Sequence, residues 1–169
     1  FVTAKNMRVI SNEIINLRKL GHTIGCHGLT HGDEEEYDKM DLKQINAYIR
    51  KATNILEQSL NEKVRFFRGP RAKISTKTIA ILEKLGYEID SSIFSQRLDI
   101  FSSNLINYNW LFSPRLPYYP NSKNAFRRGR KRKIMEVPSS AYVLPFISAV
   151  LSIGNINLMK LLFNVLYSE

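Results

Sequence analysis

Gly21-His22-Thr23-Ile24-Gly25-Cys26-His27-Gly28-Leu29-Thr30-His31-Gly32-Asp33 is the stretch on which the reading of the fold turns. A short apolar run, Thr23 to Cys26, reads as a buried strand that opens into two histidines separated by three residues. In a helical turn over 27–31 the two imidazoles would share a face. His27 and His31 are therefore a candidate pair of metal ligands. A bare His-x-x-x-His is weak evidence by itself, and position 28 is Gly, so the Glu of the zinc-protease motif is absent. Cys26 precedes His27, and neighbours on a strand point to opposite faces, which makes Cys26 a core residue.

Working outward, Phe1-Val2-Thr3 reads as the tail of an earlier strand. Residues 5–20 carry Met7, Ile10, Ile14, Leu17 and Leu20 at helical spacing, and Gly21 ends that helix. Downstream, Asp33 to Asp38 is an acidic patch around Tyr37 that reads as loop. Asp41 with Gln44 forms a capping-box signature. Leu42, Ile45, Ile49, Ala52 and Leu56 then make a second amphipathic stripe. Val64 to Phe67 is a strand closed by Arg68-Gly69-Pro70. Ser75 caps a third helix with Ile79, Leu82 and Leu85 inward. Gly86 stops it, and Tyr87-Glu88-Ile89 leads to Asp90-Ser91-Ser92.

Lys19-Leu20-Gly21-His22-Thr23-Ile24 is echoed by Lys84-Leu85-Gly86-Tyr87-Glu88-Ile89. In each a helix ends at glycine, a strand follows, and polar residues wait at its far end. Such alternation predicts a mostly parallel sheet wrapped by helices. Chemistry in these folds gathers beyond the carboxyl ends of the strands, where His27, Arg68 and Asp90 all fall. The aromatic region 93–126 reads as a loop lining a cleft or as a flap over the core. Ile134 to Pro138 reads as a further strand, and 141–167 as one or two packing helices, with no membrane span expected.

Composition bounds the function classes. The chain has 169 residues, 44% hydrophobic and 24% charged, as in an ordinary globular domain. One cysteine precludes an internal disulfide and favours the cytoplasm, although a first residue of Phe leaves room for a signal or anchor ahead of it. The net charge of +10 owes much to Arg127, Arg128, Arg130, Lys131, Arg132 and Lys133. That run suits an anionic surface or polymer, or is a solvated loop; with no nucleic-acid fold motif beside it, no nucleic-acid partner is expected.

Taken in order, these pieces resemble the polysaccharide deacetylase family, carbohydrate esterase family 4. The segment from Gly21 to His31 is similar to the family's metal motif, and Phe67-Arg68-Gly69-Pro70-Arg71 to its Arg-x-Pro motif. Gly86 to Ser92 is similar to the strand that supplies its next polar group. Leu116 to Pro120 and Met135 to Ser139 are similar more weakly. The resemblance runs from residue 1 to about 140. It implies an α/β fold, a partial (β/α) barrel that would be a distorted seven-stranded barrel in the complete protein. Residues 1–169 would form a single domain, incomplete at both ends.

The resemblance also implies an activity: metal-dependent removal of acetyl groups from N- or O-acetylated sugars or polysaccharide. His27 and His31 would hold a divalent metal, commonly zinc. Arg68 would hold the catalytic aspartate, the Arg71 backbone N–H would stabilise the oxyanion, and Asp90 would orient Arg68. Pro70, Trp110 and Tyr118 would line the substrate site. Two parts of the family's pattern are missing here. Its aspartate pair, third metal ligand and general base, precedes the point where this chain begins, and no histidine follows His31 to act as general acid. The alternative is a non-catalytic module on a degenerate deacetylase fold, binding carbohydrate or an anionic polymer.

Overall fold

Residues 1–95 and 108–139 are described by the computed structural model. The expectations for the stretch 96–107 of the aromatic region and for the helices over 141–167 lie outside the described residues.

Three helices come first, and each follows its sequence signals. The chain enters α1 (Met7–Lys19) through a 3₁₀ turn at Ala4–Asn6, with a break in helical geometry at Ile10. Met7 and Ile14 are buried, but Leu17 and Leu20 are exposed, so the inward stripe is narrower than the spacing suggests. Helix α2 (Leu42–Leu60) has the expected capping box. The Asp41 carboxylate accepts from Gln44 N–H at 2.8 Å, and the Gln44 side chain accepts from Asp41 N–H at 3.0 Å. Ile45, Ile49, Ala52 and Leu56 line its buried face, while Leu42 stays exposed. Helix α3 (Thr76–Lys84) starts at Ser75 and buries Ile79 and Leu82. It packs on α2, which also meets α1.

The sheet is parallel where its strands are regular: β1 (Phe66–Phe67) pairs with β2 (Ile89–Asp90), and β2 with β3 (Met135–Glu136). Single bridges widen it, with Val2 pairing with Cys26 and Cys26 with Phe67, both parallel. The positions therefore lie side by side as Val2, Cys26, Phe67, Asp90 and Glu136, in chain order. Tyr118 joins at the far side, antiparallel to Glu136. A short helix, α4 (Tyr108–Leu111), precedes that segment. Sequential parallel strands with helical crossovers are the arrangement of a partial (β/α) barrel. Among the described residues no helix is long and apolar enough to cross a membrane.

The echoed passages come out alike. Gly21 has φ 90° and Gly86 φ 87°, left-handed values at which a side chain is strained and which suit a residue just past a helix. Cys26 is fully buried as expected, and burial pushes its thiol up to about 12. Phe67 is the centre of the core: its ring meets Tyr37 at 6.0 Å and Tyr87 at 5.6 Å between centroids.

Candidate active site

His27 and Arg68 stand side by side just past the carboxyl ends of their sheet positions, whereas Asp90 lies one residue further back, in register with Cys26 and Phe67 inside the sheet. The first segment leaves the sheet with the His27 N–H donating to Val2 O at 2.8 Å and Arg68 N–H to Cys26 O at 2.9 Å. These bonds fix the backbone of His27 and Arg68 relative to the sheet.

The two imidazoles do come together, with ring centroids 5.0 Å apart and planes at 58°. They do so without a helical turn. Residues 27–31 form an irregular loop, and His31 itself is left-handed at φ 62°. Spacing of four was thus the right cue for the wrong reason: the loop folds back on itself where a helix would have advanced. His27 Nδ1 lies 2.7 Å from the carbonyl oxygen of Arg68. A carbonyl only accepts, so Nδ1 carries the proton and Nε2 keeps its lone pair. A metal-binding imidazole is commonly held in this way by its second nitrogen. Burial, more than any neighbouring charge, holds His27 below the ordinary imidazole range. His27 is half-buried and His31 exposed, so the pair faces outward. The donor set thus fits a divalent cation as two of its ligands. Among the described residues no third His, Cys, Asp or Glu joins them.

Arg68 is fixed from three sides. Its Nε–H donates to Ser91 O at 2.9 Å, and its terminal nitrogen to Ser91 Oγ at 2.8 Å and Ser139 Oγ at 3.1 Å. Its guanidinium lies over the Phe1 ring, 4.5 Å from the centroid. Asp90 is not the group that orients it. That carboxyl is fully buried, accepts from Ser92 Oγ at 2.5 Å, and faces Glu136, its register partner on β3. Glu136 Oε1 accepts from Ile93 N–H at 3.0 Å. The other oxygens, Asp90 Oδ2 and Glu136 Oε2, are buried with no hydrogen-bond partner among the described residues. Burial pushes Asp90 up to about 6, and burial plus the Asp90 charge drives Glu136 well above the carboxylate range. The sequence reading missed Glu136 as a buried acid, although the residue lies inside the strand expected over Ile134 to Pro138.

Arg71 ties the two loops together. Its guanidinium donates to Asp33 Oδ1 at 2.7 Å and Gly32 O at 2.6 Å, and its backbone is left-handed at φ 52° inside the turn Pro70–Ala72. Lys73 adds an ion pair to Glu36. Pro70 is buried beneath the loop: a β-carbon at Gly28 would lie 2.6 Å from Pro70 Cγ. Trp110 and Tyr118 do not line an open cleft. Trp110 is 3% exposed and packs on Phe94 at 5.6 Å, and Tyr118 is 3% exposed with its hydroxyl donating to Ala125 O at 2.9 Å. Both side chains serve packing: Trp110 lies against Phe94, and Tyr118 sits beside Glu136 at the edge of the sheet. The flap reading fits these two residues.

The basic run is partly spent on the protein itself. Arg132 donates to Glu83 at 3.0 Å and Arg127 stands over Phe112 at 5.7 Å, while Arg128, Arg130, Lys131 and Lys133 are exposed.

Comparison with known proteins adds the following. A sequence model described as polysaccharide deacetylase matches residues 1–89. No curated protein matches the chain. Among solved structures, a protein described as a polysaccharide deacetylase from Mycobacterium smegmatis superposes with TM-score 0.60 at 16% identity. The match covers 88% of this chain and 45% of that one. A second, so described from Pseudomonas aeruginosa PAO1, gives TM-score 0.57 at 18% identity, covering 83% of this chain and 38% of the other. At these identities the likeness shows a shared fold, and the chain spans less than half the length of either structure.

Proposed function

The chain belongs to the polysaccharide deacetylase family, and on that premise we propose that the complete protein is a metal-dependent hydrolase of acetylated sugars or polysaccharide. One observation carries the reading. His27 donates Nδ1–H to the Arg68 carbonyl and keeps Nε2 for a cation, beside His31 at 5.0 Å between ring centroids.

On this reading His27 and His31 hold a divalent metal, with zinc the first choice for imidazole ligands. When bound, such a cation polarises an acetyl carbonyl and lowers the pKa of water at the site. The chain's own residues set the surroundings. Arg68, pinned by Ser91 and Ser139, brings a fixed positive charge to the same end of the sheet, placed to hold a carboxylate supplied by the complete protein. The turn Pro70–Ala72 presents the Arg71 backbone, whose N–H is the proposed oxyanion donor. The Arg71 side chain meanwhile locks that turn to Gly32 and Asp33, so metal loop and oxyanion turn keep one geometry. Among the described residues no group is assigned to proton transfer; Asp90 and Glu136 are sealed in the sheet, away from solvent.

The test is metal analysis of the wild type against His27→Ala and His31→Ala, joined to acetate release by the complete protein. Zinc bound by the wild type and lost in both variants supports the assignment. Unchanged zinc in both removes it.

A further inference from the structure

Glu35 lies in the acidic patch read from sequence as plain loop, yet it is fully buried, while Asp33 and Glu34 beside it are exposed. Burying a carboxylate is costly unless its oxygens are all satisfied. Here they are. Oε1 accepts from Leu29 N–H at 2.6 Å and from the hydroxyl of buried Tyr37. Oε2 accepts from Thr30 N–H at 2.7 Å, from His31 N–H at 2.9 Å and from the Thr30 hydroxyl at 3.2 Å. Three successive backbone N–H groups thus converge on one side chain, as they do on a bound anion in a backbone nest.

This convergence is what replaces the missing helical turn. His31 occupies the left-handed region at φ 62°, which is unfavourable for a residue with a β-carbon. No helix ladder holds it there; the bond to Glu35 does. Gly28 opens the loop at φ 75°, and a β-carbon there would come within 2.6 Å of Glu35 Oε1, so the carboxylate fits against bare backbone. Tyr37 in turn packs on Phe67, which roots the carboxylate in the core.

From this geometry we infer that Glu35 is the positioning residue of the metal pair: it sets the backbone of His31, and so keeps its imidazole beside His27. The inference rests on the metal reading above. Glu35 acts through His31, and its negative charge lies directly beneath the backbone that carries the ligand.

The experiment is amide hydrogen exchange on the full chain, with zinc affinity measured by competition against a chromophoric chelator, for wild type and Glu35→Gln. Glutamine keeps the shape but puts an NH₂ against N–H donors, so one side of the grip is lost. In the wild type the amides of Leu29, Thr30 and His31 should exchange at least about tenfold slower than in an unstructured peptide. In Glu35→Gln that protection should fall while the amides of Cys26 and Arg68 stay protected, and zinc should bind about 10- to 100-fold more weakly. Unprotected amides at 29–31 in the wild type overturn the inference, and that measurement stands even if the variant fails to fold. Unchanged zinc affinity in a folded Glu35→Gln overturns it alone. A wild type without zinc affinity instead overturns the metal reading, and with it the purpose assigned to Glu35.

Discussion

The passages through Gly21 and Gly86 begin alike and end in opposite environments. Each leaves a helix at nearly the same left-handed angle and enters the same parallel sheet. One delivers His27 to an open loop, half-exposed beside an exposed His31. The other delivers Asp90 to a sealed acid pair with Glu136. The shared pattern decides where the strand lies and which end of the sheet its polar residue reaches. The neighbours that follow decide whether that residue meets solvent. After Cys26, Gly28 and the buried Glu35 bend the chain outward and hold it there. After Asp90, Ser91 and Ser92 run directly beside β3, and Glu136 arrives opposite in register.

The strongest way to break this comparison is at the residue both regions share. Phe67 touches Tyr37 below the histidine loop and Tyr87 before the acid pair. Phe67→Ala should destabilise the fold by about 3–5 kcal/mol, read by urea denaturation, and should loosen both regions together. Damage confined to one would mean that the core is not common to them. Next in size, removing either histidine should weaken zinc binding on the order of a hundredfold or more, with thermal stability of the metal-free chain little changed, because the rings face outward. The matching perturbation at Asp90 or Glu136 should do the reverse.

The acid pair makes its own prediction about pH. Both carboxyls titrate higher folded than unfolded, so the native state holds more protons across that window. Stability should therefore fall as pH rises from about 4 through about 6 and beyond, where the buried carboxyls lose their protons. Glu136→Gln removes one of the two titrations and should recover on the order of 1–3 kcal/mol at pH 8 relative to wild type, with little difference at pH 4. A wild type and variant that run parallel across this range would show that Glu136 is not held protonated in the fold. The smallest effect concerns the two glycines. A β-carbon meets nothing within 4 Å at either Gly21 or Gly86, so Gly→Ala at each should cost only the left-handed strain, about 1 kcal/mol, and equally. Unequal costs would show that the two passages are alike in sequence only.

These contrasts explain what could be read in advance. The helices, their caps at Asp41 and Ser75, the glycine stops and the strand ends follow from local chemistry, so the parallel fold and the positions of His27 and Arg68 past their strand ends were legible, while Asp90 falls one residue short, beside Phe67. The histidine loop's conformation was not, because it is made by Glu35, and nothing local marks which acid of Asp33 to Asp38 turns inward. The one available signal was Tyr37, an aromatic inside an acidic run, two residues on. The partnership of Asp90 with Glu136 depends on the register of separate strands, which spacing along the chain does not encode. For Trp110 and Tyr118 the sequence left cleft and flap open, because an aromatic side chain suits a sugar platform and a packed flap equally; their burial, Trp110 against Phe94 and Tyr118 beside Glu136, favours packing.

The left-to-right order of the sheet carries a consequence for how such a chain is made. Val2, Cys26, Phe67 and Asp90 lie in the order in which a ribosome releases them, so each new strand can dock on its predecessor without displacing what is already laid down. Tyr118 is the exception, since its partner Glu136 is translated after it. The nascent aromatic flap must therefore wait for the strand that it will flank.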